Sequence, residues 1–134
     1  MIIAHVDEAP WHRGAPGPLG VRTERGAQFI GDWEKGPWIH INSLPAGVKA
    51  QPHSHSQDEV IFILEGELAM GGRTCGPGTV VFMERDTQYG FTVGPRGVRF
   101  LNIRRGLATF TTGGVTTDTY RLFREAQGQR REEG

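Results

Sequence analysis

The sequence predicts a small all-β domain, an antiparallel barrel or sandwich, and three observations carry that reading. Glycine (20) and proline (8) together supply 28 of the 134 residues and recur without a period, a texture of many turns rather than of collagen or long helices. From Trp38 onward, runs of five to eight residues rich in Val, Ile, Phe and Thr alternate with turn signals. One stretch alone, close to the end of the chain, has a helical pattern. The length suits a single core of ordinary size.

The first 37 residues form a lead-in, punctuated by Pro10, Pro16, Pro18 and Pro37 and by six glycines, that forbids any long regular element. Short strands are expected at Gly20–Thr23 and Gln28–Trp33, packing on the barrel or on a partner. The barrel itself is expected over residues 38–113. Strands are read near 38–44, 58–65, 67–70, 73–75, 79–84, 88–93, 98–104 and 107–112. They are divided by Pro45-Ala46-Gly47, Gly71-Gly72, Gly76-Pro77-Gly78, Arg85-Asp86 and Gly94-Pro95-Arg96-Gly97. Both parities of Val60-Ile61-Phe62-Ile63-Leu64 are apolar, so this strand calls for cover on both faces. The lead-in or a second subunit would supply it, and a homodimer is the expected assembly. Residues 114–134 form a tail in which Asp118 caps a short helix carrying Tyr120, Leu122, Phe123 and Ala126, with Gly128 as its stop.

Charge and cysteine content narrow the function. Fifteen basic residues balance fifteen acidic ones, with no basic stripe to meet a phosphate backbone, so no nucleic-acid partner is expected. The longest apolar run, Val60–Leu64, is far too short to span a bilayer, and no membrane partner is expected. Cys75 is the single cysteine, which rules out an intrachain disulfide and a multi-cysteine zinc site. The opening Met1-Ile2-Ile3-Ala4-His5 has no signal-peptide character, and a cytoplasmic location is expected.

The chemistry concentrates in one segment. His53 and His55, at i and i+2 on an extended stretch, share a side, and Glu59 reaches the same point if the chain bends between them. Two imidazoles and a carboxylate with open positions make the facial triad of non-haem iron, and equally a catalytic zinc site. The bland alternative is a solvated turn in a polar loop.

The glycines around the segment add to this. Gly47, His53, His55, Glu59 and Gly66 fill all five positions of G-x5-H-x-H-x3-E-x6-G, and the chain resembles the cupin superfamily, in particular its small quercetin-dioxygenase-like members. The resemblance implies a double-stranded β-helix (jelly-roll) barrel holding one divalent metal ion: Fe, Mn, Ni or Zn. Gly47 and Gly66 suit turn positions where a positive φ is required. The family's second motif, G-x5-P-x-G-x2-H-x3-N, is eroded: Gly78 is kept, but Glu84, Asp86, Tyr89 and Val93 replace the proline, glycine, histidine and asparagine. Tyr89 therefore stands where the resemblance puts a fourth ligand. It could ligate through its phenolate, donate a hydrogen bond to substrate or metal-bound water, or merely line the pocket. His40 is the other candidate for the missing nitrogen, against the reading of a packed or surface histidine.

Ile61, Phe82, Phe91 and Phe100 are candidate pocket walls, and Gln88 (with Gln57) offers amide contacts at the mouth. Asn102 and Arg104 alternate with Leu101 and Ile103, and would orient a polar substrate if that face is inward. The charged turn Glu84-Arg85-Asp86 reads as a solvated tip. Two functions are compatible with these residues. One is a metal-dependent enzyme, dioxygenase-like or isomerase/cyclase-like, with Glu59 or Tyr89 moving protons on a small, largely apolar, oxygenated ligand. Lys35 and Lys49 are the only lysines, too few for a phosphosugar pocket. The other is a non-catalytic ligand-binding or sensor barrel with an incomplete metal site.

Overall fold

The computed structural model describes residues 1, 3, 5, 11–13, 26–30, 37–106 and 108–118. Ten strands account for its regular structure: β1 Trp11–Arg13, β2 Gly26–Ile30, β3 Trp38–Leu44, β4 Lys49–His55, β5 Glu59–Met70, β6 Arg73–Cys75, β7 Val80–Met83, β8 Tyr89–Arg104, β9 Thr109–Thr112 and β10 Val115–Asp118. The neighbour order is β1-β2-β3-β8-β4-β9-β10, with β5 pairing β6, β7 and β8, and every pairing is antiparallel. The expected all-β jelly-roll class is the one found. Within the described residues, no helix is long and apolar enough to cross a membrane.

The long strand β8 organises the barrel. Its second half, Val98–Arg104, lies between β3 and β5, whereas its first half, Tyr89–Thr92, pairs with β4 and the end of β5. The Gly94–Gly97 segment, expected to separate two strands, instead bends one. The same holds for β5, which runs through Gly66 unbroken. Both glycines have positive φ, 71° at Gly66 and 74° at Gly97, and a Cβ on Gly66 would lie 2.0 Å from the Gly97 carbonyl oxygen. Two backbones meet here at a distance only glycine permits, so the turn signals become kinks because pairing continues on either side. Gly47 also has the expected positive φ, 79°.

Strand β4 was not expected, because Lys49-Ala50-Gln51-Pro52 has no branched or aromatic residue and includes a proline. It forms because partners impose it: Lys49 and Ala50 pair with Thr92 and Phe91, and the register shifts before His53 meets Tyr89. Pro52, which has no N–H to give a ladder, sits within that irregularity. From Ser54 the strand changes partner, to Thr111 and Phe110 of β9, a corner at which one strand serves two sheets.

Cross-strand register sorts the side chains, since residues directly opposite share a face. Trp38, Arg104, Glu59 and Met83 form one inward row, and His40, Asn102, Ile61 and Val81 the next. Deeper in the barrel, Ile63, Leu68, Phe91, Val93, Val98 and Phe100 make a buried apolar core. Outward rows run Ile39-Ile103-Val60-Phe82 and Ile41-Leu101-Phe62-Val80. Phe82, expected as a pocket wall, is thus corrected to the outer face, where it is 62% exposed. In β7 the inward positions are Val81 and Met83, a displacement of one residue that exchanges the two faces. Val60, Phe62 and Leu64 are only half-buried, so the anticipated second cover of this strand is incomplete within one chain.

The lead-in contributes β2, which pairs along β3, and β1, which pairs with β2. The expected strand at Gly20–Thr23, residues 31–33 of the second expected strand, and the helix after Asp118 lie outside the described residues. Asp118 itself closes β10, opposite Thr109.

Candidate active site

One end of the barrel interior is polar. His40, His53, His55, Glu59, Asn102 and Arg104 are all buried there, with Tyr89 half-buried beside them. The register explains the assembly: the His53–Tyr89 pair brings their rings to 4.4 Å, and the β4 corner turns His55 toward the Glu59–Arg104 pair. The turns outside clasp one another. Asp86 N–H donates to the His55 carbonyl at 2.8 Å, Arg85 N–H donates to Asp58 at 2.8 Å, and Thr109 N–H donates to Ser56 Oγ at 2.9 Å. Asp86 takes a positive φ of 64°. The exposed Glu84-Arg85-Asp86 tip therefore also anchors the corner that carries His53 and His55.

Both motif histidines are fixed in one tautomer. His53 Nδ1 donates to the Gln51 carbonyl at 2.7 Å, and His55 Nδ1 donates to the Thr109 carbonyl at 3.0 Å. His55, whose ring is neutral near pH 7, consequently carries its lone pair on Nε2. His53 also stacks on Phe110, with centroids 4.7 Å apart and planes 14° from parallel. Phe110 escaped the sequence reading; its signal was a position opposite His55 on a strand whose partner was not foreseen.

Glu59 is the hub. Tyr89 Oη donates to its Oε1, and Arg104 Nε donates to its Oε2 at 2.5 Å. Arg104 Nη2 also donates to His55 Nε2 at 3.2 Å, and the guanidinium lies 5.1 Å from the Trp38 ring centroid, within cation–π range. Burial pushes the Glu59 carboxyl upward, but the Arg104 charge, His55 and the two hydrogen bonds outweigh it and hold the group at about 2. Burial, then the Glu59 charge, raise the Tyr89 phenol well above its ordinary value. Burial, then the Arg104 charge, depress His55 to about 4 and His40 to about 3. Near neutral pH the site therefore holds one carboxylate, one guanidinium, neutral His40 and His55, and a protonated phenol.

The expected residues divide accordingly. His53, His55, Glu59 and Tyr89 converge. His40 enters the barrel one row from Arg104, its ring 5.6 Å from Trp38. Ile61, Phe91 and Phe100 are buried in the apolar core below, and Asn102 is 2% exposed with no hydrogen-bond partner for Oδ1 among the described residues. Gln88 is exposed in the turn that precedes Tyr89. Arg104, conditional on its strand facing inward, is central.

The expected divalent ion fares differently. Among the described residues no group of three or more His, Cys, Asp or Glu side chains is disposed to hold one. Both Glu59 oxygens and the His55 lone pair are already committed to Tyr89 and Arg104. The donor set in this arrangement does not fit a divalent ion, because a fixed positive charge sits where the ion's charge would have to go.

No family model matches the chain, and no curated protein matches it. Solved structures do resemble it. An RmlC-like cupin protein from Ralstonia eutropha superposes with a TM-score of 0.72 at 15% identity, covering 94% of this chain and 84% of that one. The polyketide cyclase RemF from Streptomyces resistomycificus gives 0.66 at 21% identity, covering 92% and 93%. A proposed acetylacetone dioxygenase from Methylibium petroleiphilum gives 0.68 at 20% identity, covering 87% and 85%. At such identities it is the fold that is shared, and the fold of this chain is cupin-like.

Proposed function

We propose that the chain is an enzyme that moves a proton on a small, largely apolar, oxygenated organic molecule, in an isomerisation or cyclisation, at the polar end of its barrel. The observation that carries this reading is the buried network of Glu59, Tyr89, Arg104 and His55. Buried ion pairs contribute little net stability against apolar packing, and ionisable groups displaced from their ordinary values by burial and a specific partner mark functional sites. Asn102 Oδ1 supports it, since a buried acceptor calls for a donor, which a substrate hydroxyl would provide. The cyclase among the structural neighbours supports the reaction class by analogy of fold.

The roles follow from protonation. Glu59, held at about 2 and doubly hydrogen-bonded, is too weak a base to take a proton from carbon; it orients Tyr89 and Arg104. Arg104 supplies a fixed positive charge for an oxygen that becomes negative as an enolate forms, while Tyr89, whose one hydroxyl hydrogen goes to Glu59, holds that carboxylate in place. His53, whose Nδ1–H is anchored on Gln51, presents Nε2 as the base. Ile61, Phe91 and Phe100 lie in the apolar core beneath this polar end.

The test is deuterium exchange at the α-carbon of a panel of 1,3-diketones and hydroxylated aromatic ketones, followed by proton NMR. Exchange by wild type that falls at least about 100-fold in His53→Ala is expected. Binding without exchange would favour the non-catalytic barrel. A second reading, a metal-dependent dioxygenase, draws on the two Nδ1 anchors, the arrangement that orients metal-ligating histidines. Oxygen uptake with the same panel, dependent on added iron, manganese or nickel, would favour it.

A further inference from the structure

We propose that Arg104 is the resident cation of this barrel, occupying the focus of His55 and Glu59 in place of a divalent ion, so that wild-type protein excludes metal from its His-x-His-x3-Glu segment. The inference concerns what balances Glu59 and does not depend on the reaction class.

Position comes first. Glu59 and Arg104 are direct cross-strand partners on β5 and β8, and Trp38 on β3 is the next member of the same inward row. The guanidinium is therefore delivered to the carboxylate by register, not by a flexible loop. Its residue is 7% exposed. Nε engages Glu59 Oε2, Nη2 engages His55 Nε2, and Trp38 covers the guanidinium at 5.1 Å. Tyr89 takes the remaining carboxylate oxygen. A divalent ion would have to displace both donors from Glu59 while the guanidinium, held by the barrel wall, stayed within a few ångströms.

Chemistry makes the exclusion permanent. Arginine does not deprotonate in proteins, so no accessible pH empties the place, as it would for lysine or histidine. His40, Glu59, His55 and Trp38 face the guanidinium from the other strands, and Glu59 is the only anion among them. Charge is already balanced one for one. The spatial pairing also gives the eroded second motif a physical counterpart: with a cation built in, a histidine at position 89 has no metal to bind, and a tyrosine there closes the carboxylate's second oxygen.

The experiment is metal binding by tag-free protein, by calorimetry and by metal content after dialysis, with Zn²⁺, Ni²⁺ and Mn²⁺ separately. Wild type is expected to take up no stoichiometric ion. Arg104→Met, which keeps the stem and removes the charge, is expected to gain roughly 100-fold or more in affinity and bind one equivalent, and His53→Ala in that background to lose it. One equivalent in wild type that His53→Ala removes overturns the proposal, as does no gain in Arg104→Met. If Arg104→Met does not fold, Arg104→Gln replaces it. If neither folds, histidine ¹⁵N resonances of wild type decide: His53 and His55 signals unmoved by excess Zn²⁺ uphold the proposal, and a one-to-one shift overturns it. Loss of proton-exchange activity with metal exclusion intact would defeat the proposed reaction and leave this inference standing.

Discussion

Replacing Arg104 by methionine probes the network through stability. The substitution leaves the Glu59 carboxylate buried with Tyr89 as its remaining donor. Stranding one partner of a buried pair costs about 3–5 kcal/mol. The lost contacts to His55 and Trp38 add about 1 kcal/mol each, against a total stability of about 5–15 kcal/mol for an ordinary domain. Urea unfolding at pH 7.5 with a chelator present, followed by tryptophan fluorescence, measures the loss. Acidity supplies the signature. With Arg104 in place Glu59 sits at about 2, below its unfolded value, so its contribution is full above about 4.5 and fades as pH falls. Without Arg104 burial dominates, the folded value rises above the unfolded one, and protonation favours the folded variant. The gap between the proteins must narrow toward pH 5, and Glu59→Gln with Arg104→Met must recover most of the loss. A loss under about 1 kcal/mol, or a gap independent of pH, would refute the reasoning.

Three other outcomes follow. His40 and His55, depressed to about 3 and about 4 from 6.5, stay neutral in the fold while the unfolded chain takes up protons below 6.5; stability should fall by about 6 kcal/mol between pH 7 and pH 4. Circular dichroism across that range checks it, and flat stability would contradict it. Gly66→Ala places a Cβ against the Gly97 carbonyl at a positive φ and should cost at least about 2 kcal/mol, read as a lower Tm, whereas Gly71→Ala, with open space around it, should cost less. The proposed homodimer would use the outward rows that end at Val80 and Phe82, both 62% exposed; light scattering should show a dimer that Phe82→Glu converts to monomer, and a wild-type monomer at micromolar concentration would defeat the idea.

Much of this was legible in the residues, for reasons that differ by element. Strands β3 and β7 announce themselves by branched and aromatic residues between turn signals, a local preference that the barrel respects. Strand β4 does not, because its pairing is imposed by Phe91, Thr92 and the β9 residues across from it. Gly66 and Gly97 read as breaks and act as kinks, since a local sequence cannot show that a partner continues past them. In the site, His53, His55 and Glu59 were placed together by their spacing and by the motif they share with Gly47 and Gly66. Their neutralisation was not, because the ion pair joins residues 45 positions apart, and only the inward parity of Asn102 and Arg104 hinted at it. Phe82 shows the converse failure: in a four-residue strand of uniformly apolar residues, either parity can be read as inward.

The most direct test of the account is a crystal structure of wild-type protein grown in excess Ni²⁺, with anomalous data collected at the nickel edge. The account predicts no anomalous peak beside Glu59, with the Arg104 guanidinium between Glu59 Oε2 and His55 Nε2. A peak bonded to His53, His55 and Glu59, with Arg104 turned away, would contradict it.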